Sequence, residues 1–344
     1  MLYDITKTFE ENIAYGPFWN TDKANLHRTF LGFNIHSPFG VAACPLTVNS
    51  RFILFLSTLG YDIFTYKSVR SLEWRGNAFP HWQYVDIKGE FSDPSVLPKA
   101  QASFTPFDTA ETTTMANSFG IQSVKPEYWQ EDVGTCVAKL PEGKLLILSL
   151  MCTPQPGESL IEDAKRLALL ANETTAHIFE LNLACPNTDG GQGLIYEDIE
   201  ISLRLCGEVK NIIGDKQLLV KVGYYQNQQA LKTFLKQAKG IISGISSTNT
   251  YSMSIVTKDG KEAFPNRPTA GVSGSAVRGL SLKQAKNAVK FSQELEMENF
   301  VIIGIGGVTK PEHIDQYLAL GVDAVQSAVG VFANPHLAMH WKNS

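Results

Sequence analysis

The chain has 344 residues, is 44% hydrophobic and 19% charged, and carries a formal net charge of −4. That balance suits a globular protein with a large core, excludes disorder, and gives no general pull towards nucleic acid or anionic lipid. No apolar run reaches the roughly 18 residues of a membrane span, so none is expected. Residues 1–37 read as an extension ahead of the first strand, and their start, MLYDITKTFEENIAYG, lacks the apolar core of an export signal. Eight apolar or β-branched runs then follow: PFGVAAC (38–44), DIFTYKS (62–68), LLILSL (145–150), HIFELNLAC (177–185), LLVKVG (218–223), GIISGISSTNT (240–250), VIIGIGG (301–307) and AVQSAVG (324–330). Most lack polar alternation, as parallel strands buried on both faces do.

Helical periodicity fills the intervals. ESLIEDAKRLALLANE opens at Glu158 or Ser159, NQQALKTFLKQAK follows the fifth strand and SLKQAKNAVKFSQEL precedes the seventh. PEHIDQYLALG has Pro311 in its first turn and Gly321 as its stop. Eight strand–helix units imply right-handed crossovers and an α/β fold, a (β/α)8 TIM barrel with its core at about 38–334, all in a single domain of 344 residues. A doubly wound sheet is the alternative that counting leaves open. Two connections, 69–144 after strand two and 251–300 after strand six, are long insertions, and both leave C-terminal strand ends, where barrels build active sites. The first holds Trp74, Phe79, Trp82 and Tyr84 and is expected to form a packed cover.

The five cysteines, Cys44, Cys136, Cys152, Cys185 and Cys206, are scattered and form no CxxC pair. This fits a reducing cytoplasm and argues against a disulfide framework or a cysteine-rich metal site. His336 and His340, in HLAMH, lack the glutamate of HExxH and read as a helix face, so no metal is expected.

If the barrel closes, its strand ends share one mouth. They bring together Ala42, Ala43 and Cys44; Lys67 and Ser68; Ser149; Asn182, Cys185 and Asn187; Lys221; Ser247, Thr248 and Asn249; Gly306 and Gly307; and Ser327 with Gly330. Lysine is seldom buried unpaired, and two strand lysines aimed at one mouth point to a bound anion. Glycines where the seventh and eighth strands open into loops, in GIGG and QSAVG, suit a phosphate. GVSG at 271–274 could add backbone donors. No GxGxxG follows the first strand, so a nicotinamide site is not indicated. A phosphate grip, two lysines and several amides suit FMN, with Lys221 placed to stabilise the reduced ring. Cys185 alone would read as core filling; beside such a cofactor it can act as a general base.

ELNLACPNT resembles the ELNLSCPN signature of class 1 dihydroorotate dehydrogenases. LIYEDIE, FTYKSV, ANSFGIQS, VKVG, SSTNT, GVSG, GIGGV and VQSAVG are similar to further family segments in family order, from about Pro38 to Asn334. The resemblance implies FMN-dependent oxidation of dihydroorotate to orotate in pyrimidine synthesis. Cys185 is the implied base for the C5 proton, and Lys67 the lysine bridging substrate and flavin. Asn117, Asn182, Asn187 and Asn249 are the implied substrate amides, with Ser118, Phe119, Gly120 and Thr250 in the same segments. Ala42, Ala43, Lys67, Ser68, Ser149, Asn182, Lys221, Gly274, Gly306, Gly307, Ser327 and Ala328 are the implied flavin contacts. The class 1A likeness further implies a homodimer, and leaves fumarate, a quinone or a partner subunit as the electron acceptor.

Some segments depart from that pattern. VKVGYYQNQ replaces the family's VKxPPYFD, TDGGQG replaces VPGKPQ, and Cys44 occupies a position where glycine is common. SSTNT and AGVSGSAVRG are also similar to the flavin domain of dihydropyrimidine dehydrogenases, which makes dihydrouracil or dihydrothymine the alternative substrate. A Schiff-base barrel lyase using Lys221 would leave Cys185 and its amides idle. A flavin-dependent RNA-modifying enzyme would be expected to show a basic face, which the acidic balance does not support.

Overall fold

A computed structural model describes residues 8, 11, 28–93, 99–184 and 194–344. Eight parallel strands close into a barrel in chain order: β1 (Phe39–Val41), β2 (Ile63–Val69), β3 (Leu145–Leu150), β4 (Ile178–Asn182), β5 (Gln217–Val222), β6 (Gly244–Ser247), β7 (Val301–Ile305) and β8 (Ala324–Ser327). All eight match the runs read from the sequence, six lying inside them while β2 runs one residue past its run to Val69 and β5 starts one residue early at Gln217. Five of the strands are shorter than their runs because pairing ends before the apolar stretch does. In AVQSAVG, for example, β8 stops at Ser327 and a short helix starts at Val329.

The outer ring comprises α1 (Ser50–Ser57), α2 (Pro126–Lys139), α3 (Leu160–Asn172), α4 (Ile199–Ile213), α5 (Gln228–Ala238), α6 (Arg278–Glu294) and α7 (Pro311–Ala319). Most start where the sequence offers a start. Ser159 and Glu162 make a reciprocal capping box on α3, Asn227 and Asp198 cap α5 and α4, and Pro311 opens α7. Helix α6 begins three residues ahead of the expected Ser281, because a 3-10 turn, Ser275–Val277, leads straight into it. The ring packs on the outward strand residues, such as Phe64, Leu148, Phe179 and Val220, to form the main core.

At the N-terminal end of the barrel, an antiparallel hairpin (Arg28–Phe30 with Phe33–Ile35) inserts Phe30 and Ile35 against inward residues such as Ile63, Ile178 and Leu219. Beside it, Asp62 is buried and accepts ion pairs from Lys144 at 2.5 Å and Lys342 at 2.6 Å, tying the C-terminal helix Leu337–Lys342 to the barrel floor.

The cover at the other end is more specific than the sequence implied. Trp82–Asp86, Ala100–Ser103 and Thr114–Asn117 from the first insertion form one six-stranded sheet with Tyr251–Met253, Ile255–Val256 and Ala270–Gly274 from the second. The two insertions meet at two seams: Thr114–Asn117 runs antiparallel to Ala270–Gly274, with Asn117 opposite Gly271, and Ile255–Val256 runs parallel to Ala100–Ser103. Val85, Ala102, Ala116, Met253, Phe264 and Val272 give this sheet its own apolar core. No helix among the described residues is long and apolar enough to cross a membrane.

Candidate active site

Beneath that sheet lies a cavity at the C-terminal strand ends. Among the described residues, every barrel strand except β3 contributes to its wall. The loop after β1 supplies Ala42 to Pro45, β2 supplies Lys67 and Ser68, β4 supplies Asn182 and β5 supplies Lys221. The loops after β6, β7 and β8 supply Thr248 to Thr250, Gly306 to Val308, and Ser327 to Gly330. Trp82, Asn117, Phe119, Ile121, Ser273 and Gly274 come from the insertions.

Most of the residues singled out in the sequence therefore share one wall: Ala42, Ala43, Lys67, Ser68, Asn117, Phe119, Asn182, Lys221, Asn249, Thr250, Gly274, Gly306, Gly307, Ser327 and Ala328. Four others do not reach it, among them Ser247, which is fully buried and accepts from Gln284 Nε2 at 2.8 Å. Ser149 is fully buried behind the wall and shares a 2.9 Å hydrogen bond with the Ser68 hydroxyl. Ser118 turns away, its hydroxyl accepting from Asn77 Nδ2 at 3.1 Å. Gly120 packs against Asn77, and its carbonyl accepts from Arg70 Nη2. Cys185 and Asn187 lie outside the described residues.

The amides hold one another in place. Asn182 Nδ2 donates to Ser68 Oγ at 3.3 Å, while its Oδ1 accepts from Asn249 Nδ2 at 3.3 Å and from the Ala184 N–H at 3.2 Å. Asn249 Nδ2 also donates to the Ala184 carbonyl at 2.6 Å. Asn117 Nδ2 donates to the Gly271 carbonyl at 3.0 Å, which fixes the amide across the seam between the insertions. A polar network tied at this many points presents its remaining donors and acceptors in a set direction.

Two groups that the sequence did not single out brace the loop carrying Phe119. Arg70 is buried and donates from Nε to Ile121 O at 2.7 Å and from Nη2 to Gly120 O at 2.8 Å. Arg267 Nη1 reaches Ser118 O at 2.8 Å from the second insertion. Arg70 directly follows KSV on β2, and arginine there had to be paired or exposed. Its partners, fifty residues on, were not visible from that fact.

Gly306 and Gly307 both adopt positive φ, +129° and +69°. A Cβ on Gly306 would run into Ser281 Oγ, and one on Gly307 into Arg278, so this stretch must stay bare backbone facing the cavity. Cys44 also lines the wall. Burial pushes its thiol up to about 11, and a backbone hydrogen bond, Lys67 and Lys221 offset this only in part. It is a thiol at neutral pH and does not compete as a base.

These residues fit a planar cofactor with a phosphate tail. The site offers a bare glycine edge, a buried lysine with no ion-pair partner among the described residues, and interlocked amides.

A closed (β/α)8 barrel with a polar, cation-bearing cavity at its C-terminal strand ends defines a barrel enzyme of the small-ligand type. The family model for dihydroorotate dehydrogenase matches residues 105–343. A dihydroorotate dehydrogenase from Dictyostelium discoideum is 31% identical over 365 aligned positions, covering 100% of this chain and 97% of that protein. The catalytic subunits of dihydroorotate dehydrogenase B (NAD(+)) from Brachyspira hyodysenteriae and Maridesulfovibrio salexigens are 26% and 27% identical, over 66% and 65% of this chain and 71% and 69% of theirs. The chain belongs to the dihydroorotate dehydrogenase family and is an oxidoreductase acting on CH–CH donors.

Proposed function

We propose that the protein oxidises dihydroorotate to orotate in pyrimidine synthesis, with FMN held in the barrel mouth. The observation that carries this reading is the wall itself. Lys67, Lys221 and the locked pair Asn182–Asn249 share one cavity with the bare Gly306–Gly307 edge. Gly274, Gly306, Gly307, Ser327 and Ala328 would hold the phosphate end, and Ala42, Ala43, Ser68 and Lys221 the ring. Ser149 would act through Ser68. When bound, FMN supplies a two-electron acceptor for the substrate hydride. Asn117, Asn182, Asn187 and Asn249 orient the pyrimidine and its carboxylate, with Lys67 beside them and Phe119 and Thr250 enclosing the ring. Cys185 takes the C5 proton as the hydride leaves C6. A homodimer in the cytoplasm using fumarate as acceptor completes the reading.

The test begins with purified protein, which should be yellow and release FMN on denaturation. Anaerobic mixing with dihydroorotate should bleach it, whereas dihydrouracil and dihydrothymine should not. Cys185→Ala should keep the colour and bind orotate yet reduce about 10²–10⁴-fold more slowly, the usual contribution of a general base. A colourless protein that FMN cannot reconstitute rejects the cofactor. Wild-type reduction by Cys185→Ala rejects the base, and faster bleaching by dihydrouracil moves the substrate to the neutral pyrimidines.

A further inference from the structure

Glu180 lies on β4 two residues before Asn182, and its side chain therefore shares the inward face of the barrel with Asn182 and Ile178. It is fully buried, and neither carboxylate oxygen has a hydrogen-bond partner among the described residues. Ser246 on β6 is fully buried with an unpartnered hydroxyl. Lys221 lies between them on β5, in register with Asn182 on one side and Ser246 on the other. It too is buried and has no ion-pair partner among the described residues.

An unpartnered buried carboxylate and an unpartnered buried hydroxyl flank a buried lysine on the strand between them, all facing inward, and call for one explanation. A buried carboxylate or ammonium left alone is strongly unfavourable. Adjacent strands are about 4.8 Å apart and two residues span about 6.6 Å, so the Cα atoms of Glu180 and Lys221 lie about 8 Å apart diagonally. That separation brings the two charged ends within reach of a single water, and a buried water is stable with two to four polar partners. We infer that Glu180 is the permanent counter-ion of Lys221, joined to it through one buried water that also bonds the Ser246 hydroxyl. Glu180 is then a positioning residue for the cavity lysine.

The consequence for the cofactor rests on the proposed function. An oxidised isoalloxazine is neutral, so it cannot balance a buried ammonium before electrons arrive. A fixed carboxylate one step deeper holds the Lys221 side chain aimed at the cavity throughout.

The experiment is a double-mutant cycle in denaturant on flavin-free protein, comparing wild type, Glu180→Gln, Lys221→Met and the double variant. Each single change strands one buried charge and should lower stability. The double variant removes both and should recover stability, with a coupling of about tenfold or more in the unfolding equilibrium constant. Recovery of folding in the double when Glu180→Gln alone fails to fold is the same result in stronger form. Additive losses, or a double variant no better than the worse single, overturn the inference. Flavin-free melts decide this even if the wild type takes up no FMN, an outcome that would reject only the cofactor. With FMN bound, Glu180→Gln should weaken flavin affinity in the wild-type background and leave it unchanged in Lys221→Met. An equal effect in both backgrounds overturns the inference.

Discussion

Acidification should loosen the loop after β7 through His313. This imidazole is buried on α7, and its Nδ1 accepts the Thr309 N–H at 3.2 Å, two residues beyond Gly307. Burial, followed by the Arg278 and Lys310 charges, lowers its pKa from 6.5 to about 4. An imidazole in the unfolded chain takes up its proton first, so the unfolded state binds more protons between those values. The His313 contribution is therefore complete above pH 6.5 and is lost as pH falls towards 4. Integrating that difference gives a loss of about 1 kcal/mol at pH 5.5 and about 2–3 kcal/mol at pH 4.5. His313→Asn keeps an oxygen acceptor for Thr309 without an ionisable ring. Urea melts of both proteins at pH 7.5, 5.5 and 4.5 should show the stability difference between them shifting in favour of the variant by those amounts. Carboxylates that titrate in both proteins cancel. A difference that stays flat with pH would refute the assignment of a depressed histidine to this loop.

Two further outcomes follow from geometry. Asp62→Asn removes the negative charge that balances two buried lysines and should lower the free energy of unfolding by about 3–5 kcal/mol, read by urea melts. The site lies at the opposite end of the barrel, so ligand affinity should be unchanged at temperatures where the variant is folded. Gly306→Ala forces a Cβ into Ser281 and should displace the loop at an energetic penalty of about 1–3 kcal/mol. It should weaken FMN binding tenfold or more by fluorescence titration; wild-type affinity would show that the loop is not the phosphate grip.

The barrel was legible because its signals are local. Runs such as LLILSL and VIIGI can be buried on both faces only as parallel strands, and Ser159 or Pro311 announces a helix within one turn. Site residues at strand ends were legible for the same reason, since Lys67, Asn182 and Lys221 interrupt apolar runs. What the sequence withheld depends on contacts between distant segments. That Trp82–Asp86 and Ala270–Gly274 both flank Thr114–Asn117 is a fact of pairing, with no trace in either segment alone. Ser118 and Gly120 share a motif with Asn117 and Phe119, yet their side of the loop faces Asn77 and Arg70. Adjacency in a motif does not fix which way a residue points.

The shared sheet carries a consequence for how the enzyme comes into being and how it can be re-engineered. Seven of the eight barrel pairings join segments between 21 and 82 residues apart, whereas barrel closure (Val325 with Phe39) and the roof pairing (Asn117 with Gly271) span 286 and 154 residues. Such non-local closure is slow, because the entropy of the intervening loop must be overcome before the contact forms. During refolding, helical signals should return ahead of ligand binding, which needs both closures. The two insertions also form a single heritable unit. Grafting either alone onto a related barrel leaves an open strand edge above the cavity, so specificity can be transplanted only by moving both together.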